Sequence, residues 1–128
     1  MSLPIALLLA LISVGANAAE RHDSVPTKFL GEWSADLGAC GTDTDDSVLV
    51  IRPHHITFWG SNGPIKAVVT RGALEIMLIV ESTGEGETWL DAQHFRLSAD
   101  GTRLATLHDG TESFMRYRCP AAKRSVNK

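Results

Sequence analysis

A chain of 128 residues with 15 acidic and 12 basic side chains, net −3, has room for one domain with a modest core. Between positions 29 and 119 the balance is 13 acidic to 7 basic, which leaves the body near −6. That sign excludes nucleic acid, whose phosphates need a basic face, and argues against anionic membrane surfaces. It favours a cationic partner.

The chain opens on an apolar run from Pro4 to Val14, followed by Ala16-Asn17-Ala18, the small-x-small pattern of a signal-peptidase site. The run falls short of the roughly 20 apolar residues that span a bilayer. Residues 1–18 are therefore expected to be a signal peptide, leaving an exported, periplasmic or secreted protein with no integral membrane segment after processing. No cysteine follows the cut, so a lipoprotein anchor is not expected. Residues 19–28 read as a polar linker, 29–120 as the folded domain, and 121–128 as a disordered basic tail.

The body breaks into short runs of Val, Ile, Thr and aromatics punctuated by Gly, Asn, Asp and Pro, the pattern of an all-β domain. Strands are predicted at 29–36, 47–52, 56–60, 65–70, 73–81, 88–97, 103–108 and 113–119. Asn62-Gly63, Asp100-Gly101 and Asp109-Gly110 supply the positive φ angles of tight hairpins, as does Gly84-Glu85-Gly86. Alternation separates Leu74, Ile76, Leu78 and Val80 from Glu75 and Glu81, and Phe95 and Leu97 from His94 and Arg96. On the last strand it sets Met115, Tyr117 and Cys119 against Arg116 and Arg118. Short connections imply a small antiparallel meander. About eight strands with one apolar face most simply close into a barrel, a β-sandwich being the alternative.

Cys40 and Cys119 are the only cysteines. In an exported chain they are expected to pair, the alternative being two buried thiols. The bridge would close a loop worth about 4 kcal/mol in the chain-entropy model. No cofactor or metal is implied: His54 and His55 are adjacent and point to opposite faces of a strand, and Asp43-Thr44-Asp45-Asp46 lacks the glycine and closing Glu of a calcium loop. No G-x-S-x-G or phosphate-cradling glycine loop is present, so binding, not catalysis, is expected.

Phe29-Leu30-Gly31-Glu32-Trp33 resembles the G-x-W signature of calycins, the lipocalin and avidin-like barrels. The resemblance implies that Trp33 closes one end of a barrel and packs against a basic residue of the last strand, Arg116 or Arg118. It also implies a lipocalin-like barrel whose mouth takes a small apolar or amphipathic ligand.

Eight strands create a tension with the disulfide. Cys40 then follows the top of the first strand and Cys119 ends the last at the bottom, and an eight-residue strand rises about 26 Å. Either residues 37–40 fold back along the wall, or 47–60 is one strand bent at Pro53 and the count is seven.

Under either count the turns at 60–63, 83–87 and 109–111 share one end. They and their shoulders carry Trp59, Glu85, Glu87, Trp89, Asp109 and Glu112 and no Lys or Arg. With eight strands the Asp43/Asp45/Asp46 loop joins them. Carboxylates around two aromatics form a candidate binding rim for a basic protein, a polyamine or a sugar. Two functions follow: a small-molecule ligand in the barrel mouth, or an inhibitor or immunity-type protein that blocks a cationic enzyme such as a cell-wall hydrolase.

Overall fold

The computed structural model describes residues 18–121; the apolar leader up to residue 17 and the tail from 122 lie outside the described residues. Nine strands form: β1 (Ala19–His22), β2 (Gly31–Ser34), β3 (Leu49–Ile51), β4 (His55–Phe58), β5 (Asn62–Arg71), β6 (Glu75–Gly84), β7 (Glu87–Leu97), β8 (Arg103–His108) and β9 (Thr111–Arg118). From β2 to β9 each strand pairs antiparallel with the next, and β9 returns to β2, closing an eight-stranded barrel.

The expected linker is not a linker. Its first residues form β1, which pairs with Val68–Arg71 of β5. The reason lies in strand lengths: β4 covers only Asn62–Pro64 of β5, leaving the rest of that edge open to another strand. Val25 and Phe29 are then buried in the core, and the Val25 amide donates to the Pro53 carbonyl at 3.0 Å. Phe29, expected to start a strand, lies instead in a 3₁₀ turn (Thr27–Phe29).

Pro53 and His54 form a real hairpin turn, closed by the Arg52 amide on the His55 carbonyl at 2.9 Å, so the count is eight. The bridge is met because β2 is only four residues long and is followed by a 3₁₀ turn (Leu37–Ala39). The Asp36 carboxylate caps that turn by accepting from the Gly38 amide at 2.9 Å. The chain folds back down the wall, where the Gly41 amide donates to Glu32 Oε2 at 2.6 Å. Cys40 and Cys119 are disulfide-bonded there, with Cα atoms 5.7 Å apart.

The core is a filled cylinder: Trp33, Phe29, Phe95, Leu49, Ile51, Ile56, Ile76, Leu78 and Leu104 are all fully buried. The last strand turns over the apparent pattern, for it is the arginines that face the core. Arg116 stands opposite fully buried Leu104, and Arg118 stands opposite Trp33, while Tyr117 is exposed. Charge is tolerated there because every arginine finds acceptors. Arg118 donates to the carbonyls of Gly101, Leu30 and Lys28 at 2.9, 2.8 and 2.6 Å, and lies over the Trp33 ring at 4.2 Å. Gly31 leaves room for this clamp: with φ +129 it adopts a backbone that side chains rarely take, and a Cβ would stand 3.4 Å from Arg118 Nη1.

The wall is uneven. β6 and β7 pair along their whole length, yet β7 meets β8 only over Phe95–Leu97. The β2–β9 seam is two residue pairs, Trp33 with Arg118 and Ser34 with Tyr117. The upper β6–β7 hairpin therefore stands apart from the β8–β9 hairpin beside it.

Candidate functional site

Antiparallel order puts the β4–β5, β6–β7 and β8–β9 turns at one end of the barrel. Two of them are built alike. Glu85-Gly86 has φ angles of 50° and 80°, and Asp109-Gly110 has 51° and 79°. Both pairs thus have the two positive φ values of a type I′ hairpin, which suits the right-handed twist of the flanking strands. Asp tolerates this region better than Glu does, so Glu85 sits where its backbone is strained.

Trp59, Glu85, Glu87 and Trp89 belong to one cluster. The Trp59-Gly60-Ser61 turn rests on Gly84, where an added Cβ would lie 2.5 Å from the Gly60 carbonyl oxygen and 3.4 Å from Trp89 Cη2. Only a glycine allows the turn and the Trp89 ring this close. Trp59 is 62% exposed and Trp89 40%, and Glu85 and Glu87 are exposed beside them.

Asp109 and Glu112 stand on the other hairpin. Asp109 Oδ2 is 3.6 Å from His108 Nε2. Glu112 is turned to the outer wall, 3.8 Å from Arg96 Nη1. Arg96 in turn bonds Glu75 at 3.3 Å, and His94 bonds the same carboxylate at 3.1 Å. Burial works against the Glu75 charge, but the bonds from His94 and Arg96 outweigh it and hold its carboxyl below the usual range. Glu112 therefore serves a surface ion network, and the carboxylates nearest the two tryptophans are Glu85 and Glu87 of the β6–β7 hairpin. In the long loop, Asp45 accepts from the Ser47 amide at 2.7 Å; these bonds, with Arg116 nearby, lower its pKa.

Sequence reasoning missed the neighbours that complete the cluster. Leu90, beside Trp89, is 71% exposed. Asp91 and Gln93 are half-buried, with Gln93 Nε2 donating to Asp91 Oδ2 at 2.7 Å. Ser82, cross-strand from Trp89, is fully buried, and its hydroxyl has no hydrogen-bond partner. Arg116, pulled down in pKa by burial and countered by Asp45, donates to Thr106 Oγ1 at 2.9 Å and lies over the Phe114 ring at 4.8 Å. The signal was the strand parity itself: Ser82 continues the inward series Ile76, Leu78, Val80, so that face becomes polar toward the rim.

The metal-type grouping of Glu32, Cys40 and Cys119 has its ligand atoms within 4.8 Å of one another, but its two sulfurs are spent in the disulfide. An apolar concavity of about 420 Å³ lies at the opposite end, bordered by Leu30, Val50, Arg52 and Pro120. Among the described residues no helix is long and apolar enough to cross a membrane. Comparison with known protein families, curated proteins and solved structures finds no match for this chain.

Proposed function

We propose that this chain is an exported, non-enzymatic binding protein that seats a basic partner protein on its acidic, tryptophan-bearing end. A single observation carries the reading: the core is packed with large side chains, while Trp59, Trp89 and Leu90 are left in water beside Glu85 and Glu87. Exposed aromatics at the centre of an acidic surface are the composition of a protein-binding hot spot that steers a cationic partner. An inhibitor or immunity-type role against a cationic cell-wall hydrolase fits this surface and the exported compartment. The disulfide and the leader-like sequence support periplasmic or secreted residence.

A calycin-like ancestry draws support from the eight-stranded barrel and the Trp33–Arg118 stack. A small ligand in the mouth draws support from the orphan Ser82 hydroxyl beneath Trp89. The polar character of Asp91, Gln93 and Arg116 favours an amphipathic ligand over an apolar one.

The test is titration of the purified protein against a panel of cationic cell-wall hydrolases, with hydrolase activity and calorimetric affinity as readouts. Tight, salt-sensitive inhibition that Trp59→Ala and Trp89→Ala abolish is the expected result. Binding that ignores both tryptophans rejects the surface.

A further inference from the structure

We infer that the partner is held by strand addition: an extended basic segment pairs with the free upper edge of β7. The inference rests on the rim reading above and specifies how that surface binds.

The edge is defined by register. β7 is eleven residues long but pairs with β8 only over Phe95–Leu97, so its upper part has β6 on one side and no strand on the other among the described residues. Hydrogen-bond direction follows from two bonds below the split. The Leu97 amide donates toward β6, to the Leu74 carbonyl, and the Ser98 amide donates toward β8, to the Arg103 carbonyl, both at 2.8 Å. Backbone direction alternates along a strand. The amides and carbonyls of Thr88, Leu90, Ala92 and His94 therefore face the open side.

Of the devices that blunt an exposed strand, Lys, Pro and a bulge are absent between Glu87 and His94, and the charges present, Glu87 and Asp91, are both acidic. The matching open stretch on β5 is covered, by β1. A second copy is a poor occupant, because edge-to-edge pairing would gather the Glu85, Glu87 and Asp91 carboxylates of two chains with no base between them. None of these three has an ion-pair partner among the described residues. A cationic segment is the complement. Its alternation is specified too: basic side chains on the face shared with Glu87, Trp89 and Asp91, and apolar ones against Leu90.

The probe is a short capped peptide alternating Arg and Val, titrated by calorimetry at low salt. A second peptide carries N-methyl groups on its ladder-facing amides, keeping charge and side chains. The expected result is an affinity loss of at least about tenfold on N-methylation, as when two or so backbone bonds are removed. Ala92→Pro, which removes an amide from the free side alone, should weaken the parent peptide similarly. Hydrogen exchange at Leu90 and His94 should slow on peptide addition, with the amides already bonded to β6 changing little. If the parent peptide binds with salt-dependent affinity but neither N-methylation nor Ala92→Pro matters, strand addition is overturned and the rim reading survives. If the peptide does not bind while a cationic hydrolase is still inhibited, strand addition is likewise overturned. Failure of both partners rejects the rim itself.

Discussion

The Arg118 guanidinium lies 4.2 Å from the Trp33 ring and fastens the barrel at a seam where only two residue pairs join its first and last strands. Its three carbonyl contacts reach the base loop at Gly101 and the entry segment at Lys28 and Leu30, so one side chain ties three chain segments together. Trp33 is oriented in turn by its indole N–H, which donates to the Phe29 carbonyl at 3.1 Å.

Loss of either partner should unfold the protein more readily. Trp33→Ala is expected to cost about 3–5 kcal/mol in urea denaturation, typical of a large buried aromatic. Arg118→Ala should cost about 1–3 kcal/mol, since three carbonyls lose a charged donor and Trp33 loses its cover, and Arg118→Lys should recover only part of it. Trp59→Ala and Trp89→Ala should each cost under about 1 kcal/mol. Equal losses for all three tryptophans would place the wrong ring in the core.

Intact mass of protein from its exported location should show the loss of residues 1–18 and two hydrogens fewer than the reduced form. Reduction should lower stability by up to about 4 kcal/mol, with the entropy-model value as ceiling. Two alkylatable thiols without reductant would contradict the bridge.

Neutralising the β6–β7 tip and its neighbour by Glu85→Gln, Glu87→Gln and Asp109→Asn should slow association with a cationic partner about tenfold at low salt. The salt dependence should flatten, because the Debye length falls from about 10 Å at 0.1 M to about 3 Å at 1 M. Asp100, at the other end, is the control. Asp91 is unsuitable as one, being bonded to Gln93 on the inward side of the same hairpin. Stopped-flow rates that respond to Asp100 but not to the tip would reverse the assignment.

Glu85→Asn should raise the melting temperature, because Asn accepts the φ of 50° more readily than Glu. A gain of about 0.5–1 kcal/mol is expected. If the Glu85 charge serves binding, the stabilised variant should bind its partner more slowly, the trade that a strained functional position predicts.

Asp100 accepts from Ser98 Oγ and Thr102 Oγ1 at 2.6 and 2.7 Å and from the Thr102 amide at 3.1 Å, which lowers its pKa to about 2. A carboxyl depressed on folding stabilises the native state above its unfolded pKa and loses that contribution as it protonates. Thermal stability should therefore fall as pH drops from about 4 through about 2. Asp100→Asn should show a smaller decline across that window, measured by melting temperature against pH.

The eight barrel strands were legible because alternation and turn chemistry act locally: Ile76, Leu78 and Val80 face inward as their spacing implies. β1 was not legible, since Ala19-Glu20-Arg21-His22 has no apolar face and pairs only because β5 outruns β4. Alternation alone did not decide which face of β9 lies inward, since arginines normally face water; the G-x-W resemblance is what set Arg116 or Arg118 against Trp33, and nothing local reveals the carbonyls that await Arg118. Parity found the end that holds Trp59, Glu85, Glu87 and Trp89. It did not find the gap beside β7 or the turning of Glu112 toward Arg96, which depend on where neighbouring strands stop pairing.

Arg118 and Cys119 are among the last residues of the fold, and both act on segments from its beginning, Lys28 to Cys40. A chain that emerges amino end first cannot complete this ring until Arg118 and Cys119 have followed. Until then β2 and β8 wait with open sides, and the Cys40 thiol waits for a partner. Closure of the ring is thus a late event for the chain, and the disulfide makes it covalent.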